Sequence, residues 1–63
     1  MLHYIGNINH MNYVICIDPI HYRVSLTLTK IYLYLDRVDG MLQIVDDTGE
    51  AYYYSEELFR FID

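Results

Sequence analysis

Apolar positions along the chain come in short runs, most of them alternating with polar ones and each closed by turn residues. Tyr13-Val-Ile-Cys-Ile17 is a β-branched run stopped by Asp18-Pro19, which reads as a strand ending at a turn. Pro19 to Thr29 is a longer connection. Within it Val24, Leu26 and Leu28 alternate with Ser25, Thr27 and Thr29, so half of it is expected to be extended. Lys30 to Asp36 alternates again, with Ile31, Leu33 and Leu35 on one face and Tyr32 and Tyr34 on the other. Asp39-Gly40 is a hairpin signal, and Met41 to Val45 follows as a third strand. Asp47-Thr48-Gly49 is a second tight turn, and Glu50 to Tyr54 a fourth strand. Ser55-Glu56-Glu57-Leu58 suits one helical or 3-10 turn, capped by Ser55 and with acids at its N-terminus. Phe59 to Ile62 closes as a fifth strand. The pattern predicts an all-β domain over 11–63, a small five-stranded antiparallel barrel or strongly bent sheet. Closure would also remove the open edges that a Tyr- and Ile-rich chain can ill tolerate.

Residues 1–10 are rich in Asn and His and carry no formal charge. Three readings stay open for them: a start upstream of Met11, a cloning remnant, or an extra edge strand built on Leu2, Tyr4 and Ile5.

Four elements resemble a group of small, uncharacterised bacterial and phage proteins with a Src-homology-3-like barrel. They are Val14-Ile-Cys-Ile-Asp18, Leu26-Thr-Leu-Thr-Lys-Ile-Tyr32, Ile44-Val-Asp-Asp-Thr-Gly-Glu50 and Tyr54-Ser-Glu-Glu-Leu-Phe59. The group tends to show a strand ending in CID, an LT-x-GK-x-Y approach to the second strand, a DDxGE hairpin and a Y-P-x-x-LF single turn. This chain departs at Thr29, where the group has Gly, and at Ser55, where it has Pro. The resemblance implies a five-stranded Src-homology-3-like barrel with one short 3-10 turn before the last strand. It implies fold far more than function.

Size and charge narrow the function. With 63 residues the chain is one domain at most, too small for a large cleft. Nine acids face four bases, a net charge of −5, and Arg23, Lys30, Arg37 and Arg60 are scattered. That disfavours direct contact with nucleic acid or an anionic membrane. No apolar run reaches the length of a membrane-spanning helix, and no secretory signal is evident, so a cytoplasmic protein is expected; the resemblance implies that it is bacterial or phage-encoded.

Candidate chemistry is sparse. Asp47-Thr48-Gly49 matches the catalytic triplet of aspartic proteases, but Asp46 intrudes before it and Glu50 follows, and a turn is the favoured reading. Asp46 and Asp47 as a working carboxylate pair are opposed by strand geometry, which sends neighbours to opposite faces. His3, His10, His21 and Cys16 lack the pair spacings of a zinc site, and Cys16 reads as a small core residue. No catalytic residue, metal or cofactor is expected.

The surplus is in Tyr, eight of them. An apolar ring with a polar tip suits interfaces. The candidate contact surface is Tyr22, Tyr32, Tyr34, Tyr52 and Tyr54, with Glu56 and Glu57 at its rim. The function expected is a non-enzymatic protein-binding module, a phage or mobile-element accessory whose host partner carries a basic surface. The alternatives are a homo-oligomeric structural module, with a homodimer as its simplest form, and a nucleic-acid-associated or nucleic-acid-mimicking barrel.

Overall fold

The structure, a computed structural model, describes residues 12–62, so the readings made for residues 1–10 lie outside it. Five strands follow one another: β1 (Tyr13–Cys16), β2 (Ile31–Val38), β3 (Met41–Val45), β4 (Ala51–Ser55) and β5 (Phe59–Ile62). A 3-10 turn, η1 (Glu56–Leu58), separates β4 from β5, and among the described residues no helix is long and apolar enough to cross a membrane. The strands form one antiparallel sheet in the order β4-β3-β2-β1-β5. Among the described residues the sheet does not close. Strands β4 and β5 are its two edges, so the expected closed barrel gives way to an open sheet.

The eight-residue β2 serves both halves of the sheet. Its first part pairs with β1, Tyr32 opposite Val14, and its second part with β3, Tyr34 opposite Ile44. Between Tyr34 and Asp36 the register shifts, so Asp36 faces Gln43 and Arg37 faces Leu42. Such a bulge adds one unpaired residue and bends the strand, which lets one ladder turn around a small core.

The turns follow the sequence. Asp39 and Gly40 both take positive φ, 50° and 78°, as a type I′ hairpin requires. Gly49 does so at 85° in the β3–β4 turn. Ser55 caps η1, its hydroxyl accepting from the Glu57 N–H at 3.3 Å.

The core contains Val14, Cys16, Leu26, Tyr32, Leu42, Ile44, Tyr54 and Phe59. Two features differ from the sequence reading. First, in β2 the tyrosine face points inward: Tyr32 is 3% exposed, while Ile31 and Leu35, on the aliphatic face, are 56% and 54% exposed. A Tyr ring carries more apolar area than a Leu, and it can be buried wherever its hydroxyl finds a partner. Second, the 17–30 connection turns rather than runs extended. Its backbone is closed by turn bonds such as Tyr22 N–H to Pro19 O (2.7 Å) and Leu26 N–H to Tyr22 O (2.7 Å). Only Leu26 of its alternating aliphatics is buried, and Val24 is 92% exposed.

At the end of this connection Thr29 takes φ 67°. A β-branched residue is strained there, whereas Gly is not. The position is the one where the resemblance has Gly. The strain is held by a long-range bond, Thr29 N–H to Cys16 O at 2.8 Å, which ties the connection to β1. Replacing Thr29 with Gly keeps that bond and removes the strain. The expected gain is about 0.5–1 kcal/mol, the relief of left-handed strain less the added freedom of Gly when unfolded. Urea denaturation checks it; a lower midpoint for Thr29→Gly would refute the strain argument.

Candidate functional site

The polar centre of the molecule lies where β3 ends. Asp46 and Asp47 follow Val45 and begin the turn into β4, so they lie outside the strand and escape its alternation. Asp46 N–H bonds to Glu50 O (3.0 Å), Gly49 N–H bonds to Asp46 O (2.9 Å), and Thr48 N–H bonds to Asp46 Oδ1 (2.9 Å). The Asp-Thr-Gly triplet is therefore a side-chain-reinforced turn.

Each carboxylate takes the hydroxyl of one core tyrosine. Asp46, 5% exposed, is the one buried charged residue among those described. Tyr54 Oη lies 2.7 Å from Asp46 Oδ2 and 2.8 Å from Ser25 Oγ. A phenol has one proton and an ionised carboxylate only accepts, so that proton goes to Asp46 and Ser25 supplies its own. The Thr48 hydroxyl also donates to Asp46 Oδ1. Asp47 accepts from Tyr32 Oη (2.9 Å), from Thr27 Oγ1 (2.7 Å) and from the Lys30 ammonium. Thr27 N–H in turn donates to the Tyr32 hydroxyl at 2.7 Å, and Asp47 N–H bonds to Ser25 O at 2.9 Å. Five groups of the 17–30 connection thus end on these two acids and their two tyrosines.

The electrostatics follow from these donors. For Asp46, burial alone would raise the carboxyl pKa, but the bonds from Thr48 and Tyr54 outweigh it and hold the pKa below the ordinary value. For Asp47 the Lys30 ammonium comes first, against the opposing pull of burial, with Thr27 and Tyr32 adding to it. Both groups are kept ionised. A proton-sharing carboxylate pair needs the opposite, one pKa driven up by the other charge. Burial pushes the Tyr32 and Tyr54 hydroxyls and the Cys16 thiol above their ordinary values.

The expected contact residues separate into three groups. Tyr32 and Tyr54 are buried and leave the surface, because their hydroxyls are needed inside. Tyr34 and Glu56 are linked through Phe61 and Arg37. The half-buried Tyr34 ring meets Phe61 edge-on at 5.6 Å, Arg37 stacks over Phe61 at 4.7 Å, and Arg37 Nε donates to Glu56 Oε1 at 2.9 Å. Tyr22 and Tyr52 remain exposed at 43% and 51%, and Glu57 is exposed beside the η1 cap. Tyr22 and Tyr52 are both close to Tyr54. The Tyr22 ring sits edge-on against it at 5.1 Å, and Tyr52 precedes it by two residues on the same face of β4.

Tyr53 is not among the expected contact residues. It is half exposed on the other face of β4, and its hydroxyl donates to Asp36 Oδ2 at 2.9 Å. Tyr52 likewise donates to Glu50 Oε1 at 2.6 Å. Both acids raise the pKa of the tyrosine they hold. Thr27 and Lys30 as ligands of Asp47, and Ser25 as the partner of Tyr54, were also missed. The spacing of Ser25 and Thr27 was visible, but its target, some twenty residues downstream, was not.

No protein-family model matches the chain, and no match was found among curated proteins or solved structures.

Two outcomes test the carboxylate centre. Tyr54→Phe removes the proton given to a buried acid and leaves Ser25 without its partner, at a cost of about 1–3 kcal/mol in urea unfolding. Tyr52→Phe, losing only an exposed bond, is expected to fall within about 0.5 kcal/mol of wild type. Equal effects would place the centre elsewhere. The second outcome concerns pH. Asp46 and Asp47 have depressed pKa values when folded, so their contribution is present above the unfolded carboxyl value of about 4 and is lost as pH falls through the lower folded values. Tyr32 and Tyr54 have raised values, so theirs is present below about 10 and is lost above it. Stability by circular dichroism should be flat across neutral pH and fall at both ends. The fall below pH 4 should be smaller in Asp46→Asn, which starts from a lower plateau.

Proposed function

We propose that this chain is a non-enzymatic protein-binding module, a bacterial or phage-encoded cytoplasmic accessory that binds a host protein through a basic surface on that partner. The observation that carries the reading is the pair of exposed rings, Tyr22 and Tyr52, set beside Tyr54 at the edge of the sheet. Exposed tyrosines on a rigid frame offer large contact area with little side-chain freedom to lose. The frame is rigid here because Tyr54, under Tyr22, is tied to Asp46 and Ser25. Exposed acids stand at both ends of β4, Glu50 just before it and Glu57 just past it, and these favour a cationic partner. The strand order, with the last strand beside the first and a 3-10 turn before it, is in keeping with the Src-homology-3-like resemblance.

A tagged copy used as bait in lysate of the bacterium that carries the gene is expected to retain one dominant protein. Recovery should drop on the order of tenfold for Tyr22→Ala/Tyr52→Ala, as for loss of an interface anchor. It should also weaken as salt is raised. Equal recovery by the double variant, with its fold verified by circular dichroism, would sink the reading.

A further inference from the structure

The outer edge of β4 is open. Nothing among the described residues pairs with it. The direction of its free groups follows from the ladder. Antiparallel residues opposite one another alternate between bonded and non-bonded pairs. The β3–β4 register runs Val45–Ala51, Ile44–Tyr52, Gln43–Tyr53, Leu42–Tyr54 and Met41–Ser55. Two bonds flank it, Asp46 N–H to Glu50 O and Glu56 N–H to Gly40 O. They fix the even positions of β4 as those bonded to β3. Ala51, Tyr53 and Ser55 therefore turn their N–H and C=O groups outward.

This edge lacks the usual protection. Natural edges carry charge, Pro or a bulge, and Ala-Tyr-Tyr-Tyr-Ser has none of these. The opposite edge, β5, is shorter, carries Arg60, and has Phe61 capped by Arg37. What flanks β4 is acidic: Glu50 immediately before it, and Glu56 and Glu57 immediately after. A second copy pairing antiparallel about Tyr53 would set Glu50 against the partner's Glu56 at both ends. Like charges directly opposite are destabilising, and the net charge of −5 adds to the repulsion. Each of these acids is bonded within the fold through one oxygen, Glu50 Oε1 to Tyr52 and Glu56 Oε1 to Arg37, and the second oxygen of each suits a cation at one end of an added strand.

We propose that β4 accepts an extended segment of another protein as a sixth, antiparallel strand, one in which about five uncharged β-forming residues lie between two Lys or Arg. Backbone bonds to Ala51, Tyr53 and Ser55 hold the segment. The cations fall opposite Glu50 and Glu56, and Tyr52 and Tyr53 flank the added strand on its two faces. This rests on the protein-binding reading above and specifies its ligand.

The probe is the blocked peptide Lys-Val-Thr-Val-Thr-Val-Lys, titrated into the isotope-labelled full chain and followed by amide NMR. The amides of Ala51, Tyr53 and Ser55 should shift and gain protection from exchange, while those of Tyr52 and Tyr54, already bonded to β3, change little. A peptide with Glu at both ends should bind on the order of tenfold more weakly. N-methylation of the peptide's alternate amides that face β4 should abolish binding. Ala51→Pro removes an outward donor without touching the β3 ladder and should weaken binding; if that variant fails to fold, the N-methylated peptide makes the same test from the ligand side. Protection at another surface, no binding at millimolar peptide, or equal binding of the Glu-flanked peptide would overturn the proposal. Loss of Tyr-dependent capture from lysate, with the 51, 53 and 55 amides still protected, would sink the natural-partner reading and leave the edge intact. Capture that persists while those amides stay unprotected would do the reverse.

Discussion

Two adjacent carboxylates at the end of β3 organise this molecule. Asp46 and Asp47 each receive a hydroxyl from a buried tyrosine and between them bind the long 17–30 connection. The connection contributes one buried side chain, Leu26, and so has little hydrophobic reason to stay folded against the sheet. Polar bonds hold it instead: Ser25, Thr27 and Lys30 to the acids and their tyrosines, and Thr29 N–H to Cys16 O. A small domain has few kilocalories to spare, so a buried charge persists only if each of its oxygens is hydrogen-bonded. Asp46 meets that condition, and no buried side-chain polar atom among the described residues lacks a partner.

The same pairing explains the composition. Four tyrosines, Tyr32, Tyr52, Tyr53 and Tyr54, each donate to a carboxylate, of Asp47, Glu50, Asp36 and Asp46 respectively. The excess of Tyr and the excess of acid answer one another within the fold. A phenol allows a large ring to enter the core and still present a polar tip at its boundary, which suits a chain with two Phe and no Trp. The rings pack edge-to-face: Tyr32 and Tyr54 each meet Phe59 at 6.3 Å. An acid surface partly engaged in this way leaves fewer charges for a partner.

Much of the architecture was legible. The strands, the Asp39-Gly40 hairpin, the Gly49 turn and the Ser55 cap are local features, each set by residues that adopt special backbone conformations or cap a turn. Cys16 as a core residue was legible from its place inside a β-branched run. The inward face of β2 was not. Both of its faces are apolar, so a period of two identifies the faces without ranking them. The ranking was made by Asp47, fifteen residues after Tyr32, and strand alternation gave no hint that Asp46 and Asp47 would serve neighbouring rings.

The chain alone determined which five segments form strands, to within a residue or two of their ends, the sharpness of its turns, and a surplus of tyrosines and acids, because these depend on neighbouring residues. The tertiary structure decided which tyrosines are buried and which remain outside. It also decided that, among the described residues, the sheet stays open at β4, since register and edge depend on which distant groups meet. Tyr32 and Tyr34 share a strand face, yet one is sealed by a carboxylate and the other, half-buried, packs against the core and Phe61; that difference lies in contacts across the sheet, and no local pattern encodes it.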